Sequence, residues 1–366
     1  MPEIILKHIT KSFGGSTAVE DLNLNIPDRS FITLLGPSGC GKTTTLRMIA
    51  GLESPTSGEI IIGGKVVYSS EQGIDIPPDQ RDVGFLFQNY ALWPHMTVYE
   101  NITFGLENLK WDKAKQKARA EELMAMLKIA EYGDRYPSEL SGGQQQRVAI
   151  ARTLATGPKT LFMDEPLSNL DAKLRMEMRT ELKRLHRETD STFVYVTHDQ
   201  LEAMTLSTRI SLMKEGHLQQ YAPPLEVYNS PANAFVADFI GSPNINLVPV
   251  TTADGGRLNA AGTSFGFAPA EGNLPAPGTA MTLGIRPENI VLSESEGMPA
   301  TVVATLPSGM ETIVRLSLGQ VELTAVVFGT IDFKVDQVLH LSFKTDKHIL
   351  FDGATGANAA HGALSV

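Results

Sequence analysis

The chain of 366 residues holds a single cysteine, Cys40, so no internal disulfide is open to it and a reducing compartment suits it. It lacks any run of about 18 apolar residues, the length a helix needs to cross a bilayer. Its opening stretch, MPEIILKHIT, lacks the charged, apolar and small-residue succession of a secretory signal. A soluble, cytoplasmic chain is expected. Positive charge is scarce too, with 31 Lys and Arg against 41 Asp and Glu and a formal net charge of −10. Phosphate backbones recruit basic faces, so no nucleic-acid partner is expected. Low-complexity tracts and internal repeats are absent. What remains, 42% hydrophobic and 20% charged, is the composition of a globular protein. The length suits two domains at roughly 100–200 residues each.

Four short apolar runs stand out: FITLLG from Phe31, VGFLFQ from Val83, TLFMDE from Thr160 and TFVYVTH from Thr192. Their unbroken apolar character predicts strands buried on both faces, as in a parallel sheet. Helical patterns lie between them, from Lys42, Lys113 and Ala172, so an α/β fold is expected. A mostly helical stretch, about 89–155 with the helix that opens after Ser141, reads as a subdomain beside the sheet. After about Gly241 proline, glycine and serine accumulate, and TIVRLSL, VELTAVVF and VLHLSF then alternate apolar with polar residues. The expected division is a first domain over 1–235 and a small antiparallel β-barrel over 236–352. The tail 353–366 holds little apolar bulk and is expected to be loose.

GPSGCGKTT, residues 36–44, fits the phosphate-cradling pattern of two spaced glycines followed by Lys-Thr, and it sits between a strand and a helix as that mechanism requires. The whole loop (Gly36, Pro37, Ser38, Gly39, Cys40, Gly41, Lys42, Thr43, Thr44) is expected to wrap a nucleotide's phosphates. Lys42 is assigned to the β and γ groups and Thr43 to Mg²⁺. Cys40 is either a site where a thiol reagent blocks access or an inert small loop residue.

The other apolar runs end in polar residues: Gln88, Asp164 with Glu165, and His198. Ligands of open α/β sheets bind beyond the carboxyl ends of the strands, so these residues should converge on the phosphates. Asp164 suits the acidic Mg²⁺ partner and Glu165 the group that polarises an attacking water. Gln88 completes the metal or water contacts, and His198 donates to the γ-phosphate. His186 and the basic positions of KLRMEMRTELKRLHR have the spacing of a solvated helix face and receive no chemistry. The apolar MAML stretch around Met124 reads as core.

A second glycine turn, LSGGQ at Leu140 to Gln144, also opens a helix. Together with GPSGCGKTT, LSNLDAKLR at 167, YVTHDQLEAMTL at 195 and GIRPENI at 284, it makes the chain resemble the ATP-binding cassette family. In detail it is similar to the cytoplasmic ATPase of maltose-type bacterial carbohydrate importers, over about residues 3 to 350. The resemblance implies ATP hydrolysis with Mg²⁺, Phe13 stacked on the adenine, Gln88 as lid glutamine, Glu165 as base, Asp171 at the end of the D-loop and His198 as the switch histidine. It further implies a homodimer in which Ser141, Gly142, Gly143 and Gln144 of one subunit complete the other's site. Two permease subunits and, indirectly, a periplasmic solute-binding protein are the implied partners, with the chain peripheral on the inner face of the cell membrane. Tyr90, Leu92, Trp93 and His95 either line a docking groove or simply pack. Two departures stand out: Gln145, where related importers often carry arginine, and Trp93, where tyrosine or phenylalanine is common. Polyamine, sulfate and ferric-ion importers have similar ATPases. Soluble mechanical ATPases of the DNA-repair or ribosome type share the signature, but they carry long coiled coils or two cassettes, which this chain lacks.

Overall fold

Strand and helix alternate through the first part of the chain. In order come β1 (Ile4–Phe13), β2 (Ser16–Ile26), β3 (Phe31–Leu35), α1 (Lys42–Ala50), β4 (Ser57–Ile62), β5 (Lys65–Ser69), β6 (Ile74–Asp75), β7 (Val83–Leu86), α2 (Val98–Asn108), α3 (Lys113–Met126), α4 (Gly142–Ala155), β8 (Thr160–Asp164), α5 (Ala172–Thr189), β9 (Thr192–Val196), α6 (Gln200–Leu206), β10 (Arg209–Lys214) and β11 (His217–Ala222). This computed structural model describes residues 3–272, 274–344 and 347–365. The outermost residues of the expected ranges, Met1, Pro2 and Val366, lie outside them.

The four apolar runs are β3, β7, β8 and β9. They form a sheet in the order β11-β10-β3-β9-β8-β7, parallel throughout except for the terminal β11. Successive side chains of a strand point to opposite faces, and both faces here are covered. Phe31, Phe193 and Tyr195 join a core with α2–α5, whereas Ile32, Val194 and Val196 pack with α1 and a second sheet. That second sheet, antiparallel in the order β2-β1-β4-β5-β6, was not foreseen in the sequence. Irregularities in β1, at Leu6/Ile9 and again at Ile9/Lys11, break the alternation that would have revealed it.

The described chain divides into two compact units, Met1–Pro224 and Leu225–Val366. The division falls ahead of the boundary expected at 235/236 because the helices Pro224–Asn229 and Ala234–Phe239 are tied to later residues. The buried Arg286 guanidinium donates to the carbonyls of Tyr228, Ala237 and Ile240.

The second unit contains the expected barrel, closed by the strands Asn246–Ala253, Arg257–Ala260, Thr263–Pro269, Asn358–Ser365, His348–Asp352 and Ala280–Ile285 in that circular order. The three alternating runs read from the sequence belong instead to a separate five-stranded antiparallel sheet. The turn-rich stretch SPNINLVPV supplies a barrel strand. Pro249 is tolerated there because it faces Thr282 on one side only, so its missing N–H breaks no ladder on the other.

The tail expected to be loose is a correction of substance: Asn358–Ser365 pairs with strands on both sides and closes the barrel. Its contribution is a backbone ladder rather than apolar bulk. Small residues are required for this, since a Cβ on Gly362 would lie 2.4 Å from the Ala268 carbonyl oxygen.

Candidate functional site

The carboxyl ends of β3, β7, β8 and β9 lead directly into residues 36–43, Gln88, Glu165 and His198. Parallel strands put these loops on one edge of the sheet. The glycine loop after β3 is held in left-handed backbone at Gly36, Gly39 and Gly41, with φ of 147°, 79° and 99°. At Gly36 and Gly41 side chains are excluded on steric grounds as well. A Cβ at Gly36 would stand 2.2 Å from the Met213 carbonyl oxygen, and one at Gly41 2.5 Å from that of Ala18.

Lys42 is buried, and its ammonium donates to the carbonyls of Gly36 and Pro37, each at 2.8 Å. With no hydrogen bond to an acid among the described residues, it stays available to an incoming anion at the amino end of α1. Thr43 donates its hydroxyl to Asp164 Oδ1 at 2.8 Å, and the Arg47 guanidinium approaches the other carboxylate oxygen at 3.6 Å. Burial pushes the Asp164 carboxyl above its ordinary range, and the Thr43 and Arg47 contacts oppose that rise. Thr43 and Asp164 are hard oxygen donors that suit Mg²⁺. Among the described residues no group of three or more His, Cys, Asp and Glu is placed to hold a metal.

Glu165 sits at φ 46°, a left-handed conformation uncommon for a side-chain-bearing residue, and its N–H donates to the Val196 carbonyl of β9. Its Oε2 lies 3.4 Å from His198 Nδ1. A cavity of about 250 Å³ is lined by Ser38, Gly39, Cys40, Gly41, Lys42, Thr43, Thr44, Glu165 and Ala18. The structure thus joins the loop, Asp164, Glu165 and His198 in one place.

Other predicted residues stand apart from it. The exposed Gln88 donates its side-chain amide to Ser168 Oγ at 3.3 Å and has no hydrogen bond to Thr43 or Asp164 among the described residues. Phe13 is 47% exposed at the end of β1, beneath the Lys11 ammonium, and is not among the residues lining the cavity. Tyr90 is buried, Leu92 packs against the core, Trp93 is partly buried and His95 is exposed. Arg152, from the last turn of α4, donates to the carbonyls of Tyr90 and Ala91 and lies over the Trp93 ring.

The second glycine turn is well formed and stands apart from the first loop's cavity. Ser141 is the N-cap of α4, accepting from the Gln144 N–H while Gln144 Oε1 accepts from the Ser141 N–H. Gly142 faces solvent. Gly143 is buried against α5, where a Cβ would meet Leu174 at 2.5 Å. Gln145 donates to the Pro137 and Leu140 carbonyls and so fastens the preceding turn. None of Ser141, Gly142, Gly143 and Gln144 lines the cavity of the first loop. Asp171 caps α5 through the Leu174 N–H.

Sequence reasoning missed Ala18 and Arg47. Ala18 reaches the cavity from β2, and nothing local marks it. Arg47 was open to detection, since a residue four after Thr43 on a helix shares its face.

Comparison with known proteins covers both units. Residues 19–168 match the family described as ABC transporter, 241–290 the MalK OB fold domain and 283–351 the TOBE domain. The trehalose/maltose import ATP-binding protein MalK of Thermococcus litoralis is 44% identical across 97% of this chain and 99% of its own. The sn-glycerol-3-phosphate import ATP-binding protein UgpC of Agrobacterium fabrum is 42% identical over the same shares. The spermidine/putrescine import ATP-binding protein PotA of Roseobacter denitrificans is 47% identical across 86% of this chain and 87% of its own. Among solved structures, a dimeric post-hydrolysis ATP-binding cassette bound to ADP and Pi is 34% identical. It covers 60% of this chain and 98% of its own at a TM-score of 0.53.

Proposed function

This chain belongs to the ABC transporter family of ATP-binding proteins, and from that premise we propose that it energises import of a carbohydrate or carbohydrate derivative by ATP-driven closure of a head-to-tail homodimer. It is an importer ATPase and binds ATP. The observation that carries the proposal is the cavity shared by residues 38–44 and Glu165, with His198 beside it. Lys42, the loop amides and the amino end of α1 bind the phosphates there. Glu165 takes up the proton of the attacking water, and His198 donates to the charge that develops on the γ-phosphate. Thr43 and Asp164 would hold Mg²⁺, which supplies charge neutralisation at the β and γ oxygens.

The amino end of α4, capped at Ser141 with Gly142 exposed, suits a γ-phosphate presented by a second copy, because the amino end of a helix attracts anions. Each copy brings a formal charge of −10, so closure rests on short-range contacts with the remainder screened over about 10 Å at ordinary salt. Gln88 serves at the lid and Phe13 stacks on the adenine; of Tyr90, Leu92, Trp93 and His95, the first two pack in the core and the partly buried Trp93 and exposed His95 are left to line a docking groove. Two permease subunits would anchor the chain to the inner face of the membrane, where a solute-binding protein acts on them from outside.

The full-length likeness to the maltose and glycerol-phosphate import proteins supports a carbohydrate. The polyamine reading is kept because of the likeness to PotA. The test is reconstitution with the permease genes adjacent to this one. ATP turnover should rise when a sugar-loaded binding protein is added and not with a putrescine-loaded one; the reverse result would move the chain to the polyamine class. A purified chain that stays monomeric at saturating Mg-ATP with hydrolysis blocked would overturn the dimer mechanism.

A further inference from the structure

Glu202, in the first turn of α6, is a carboxylate with 4% of its side chain exposed, and the chemistry described above makes no use of it. Buried carboxylates are costly unless they are paired and hydrogen-bonded, so the partners of this one indicate what it holds. Its Oε2 accepts from Tyr195 of β9 and from the Thr197 hydroxyl, both at 2.7 Å. The same Thr197 oxygen accepts the Asp199 N–H at 3.0 Å. Asp199 caps α6 by accepting the N–H groups of Leu201 and Glu202. His198 is the residue between Thr197 and Asp199, so both its neighbours in the chain are fixed by this network.

Arg175 connects the network to another loop. It lies in the first turn of α5, where its Nη2 donates to the Leu170 carbonyl at 3.1 Å, within the turn that follows Glu165. Its Nη1 is 3.5 Å from Asp199 Oδ2, and its Nε, otherwise without a hydrogen bond, is 3.9 Å from Glu202 Oε1. A single guanidinium therefore spans the turn before α5 and the turn before α6.

We propose that Glu202 and Arg175 are positioning residues that set His198 against the phosphates and couple its position to the Leu167–Asp171 turn. This rests on the reading of His198 as a phosphate-contacting side chain. A displacement of that turn, such as a second subunit would cause on closing, is carried through Arg175 to Asp199 and Glu202 and from them to the histidine. His198 itself has a side chain 60% exposed, with Glu165 Oε2 3.4 Å from its Nδ1, so its backbone carries much of its placement.

The experiment is a mutant cycle on ATP turnover by the full chain. Glu202→Gln keeps the volume and one acceptor oxygen but removes the charge facing Arg175. It should lower kcat by about 10- to 100-fold, as a misplaced catalytic group does, with KM for ATP and Tm unchanged. In a His198→Ala background it should cost nothing further. Arg175→Lys should recover part of the kcat lost in Arg175→Ala, and both should be silent in the His198→Ala background; this arm keeps the test intact if Glu202→Gln folds poorly. Equal losses with and without His198 would overturn the relay and leave the histidine's role standing. Full turnover by His198→Ala would overturn that role and the relay with it, and it is read from the single variant alone.

Discussion

The two glycine turns of the first unit look alike in sequence and differ in what surrounds them. The loop at residues 36–44 is furnished by its own chain: Lys42, Thr43 and Glu165 line one cavity, Asp164 accepts from Thr43, and Arg47 stands beside Asp164. The turn at Ser141–Gln144 is capped at the start of α4, and none of its four residues lines that cavity. Two glycine-opened helix ends in one chain are therefore not two equivalent sites. The first gathers a buried lysine, a threonine and two carboxylates, and the second offers only a capped helix start.

That contrast is tested most severely at Glu165. If the first loop holds all the chemistry, Glu165→Gln should lower turnover by roughly 10²- to 10⁴-fold, the range of a lost general base, while nucleotide binding persists. Phosphate release and equilibrium binding measured on the same preparation would decide it. Turnover near the unsubstituted rate would take Glu165 out of the base role.

The second turn should fail differently. A Cβ at Gly142 would meet nothing closer than Leu170 at 3.9 Å, so Gly142→Asp fits without strain, and an acid in the first turn favours the helix. The same charge would repel a triphosphate arriving from outside. ATP should still bind the loop at 36–44, whereas ATP-dependent dimerisation should be lost and kcat should drop by about 10²- to 10³-fold. Mixing this variant with Lys42→Ala, which lacks only the phosphate lysine, should restore association, since one intact composite site forms between them. Chromatography of the mixture with no dimer would contradict sharing across the seam.

A gentler probe is Cys40, which is almost fully buried with its sulfur 3.7 Å from the Lys42 ammonium. Burial pushes the thiol above its ordinary range, and the nearby lysine only partly offsets this. The reactive thiolate is therefore a small fraction at neutral pH and grows as pH rises. Alkylation should be slow at pH 7 and accelerate by about tenfold per pH unit until the folded-state pKa is reached, with Mg-ATP protecting. An alkylated chain that binds ATP at full strength would show that the loop is not the nucleotide cradle.

Legibility in the sequence followed the same physical divisions. Strands covered on both faces stay apolar along their length, which is why β3, β7, β8 and β9, and with them the polar residues at their ends, could be read directly. The antiparallel sheet was hidden by the bulges of β1, and the barrel's closing strand by its small residues, because a ladder closed through Gly362 leaves little hydrophobic trace. Within the site, motif spacing pointed to side chains but not to their rotamers. Gln88 lies at the predicted strand end, yet its amide is turned to Ser168. Ala18 was beyond reach because its role is proximity supplied by a different sheet.

The smallest expected effect separates the two glycines of the second turn. Gly143 packs under Leu174, so Gly143→Ala must displace that side chain from its place between α4 and α5, and overpacking of this kind costs about 1–3 kcal/mol. Gly142 has open space before it and sits at the first helical position, where alanine is the better helix former by up to about 1 kcal/mol. Thermal unfolding should therefore place Gly142→Ala at or above the unsubstituted chain and Gly143→Ala below it. Turnover should rank them by a different rule. Both substitutions add a Cβ at the start of α4, but only Gly142 is exposed to an arriving ligand, whereas Gly143 is buried. A Gly142→Ala chain that is stable and slow would show that the glycine is kept for an incoming phosphate, whereas one that is stable and fast would reduce LSGGQ to a helix start.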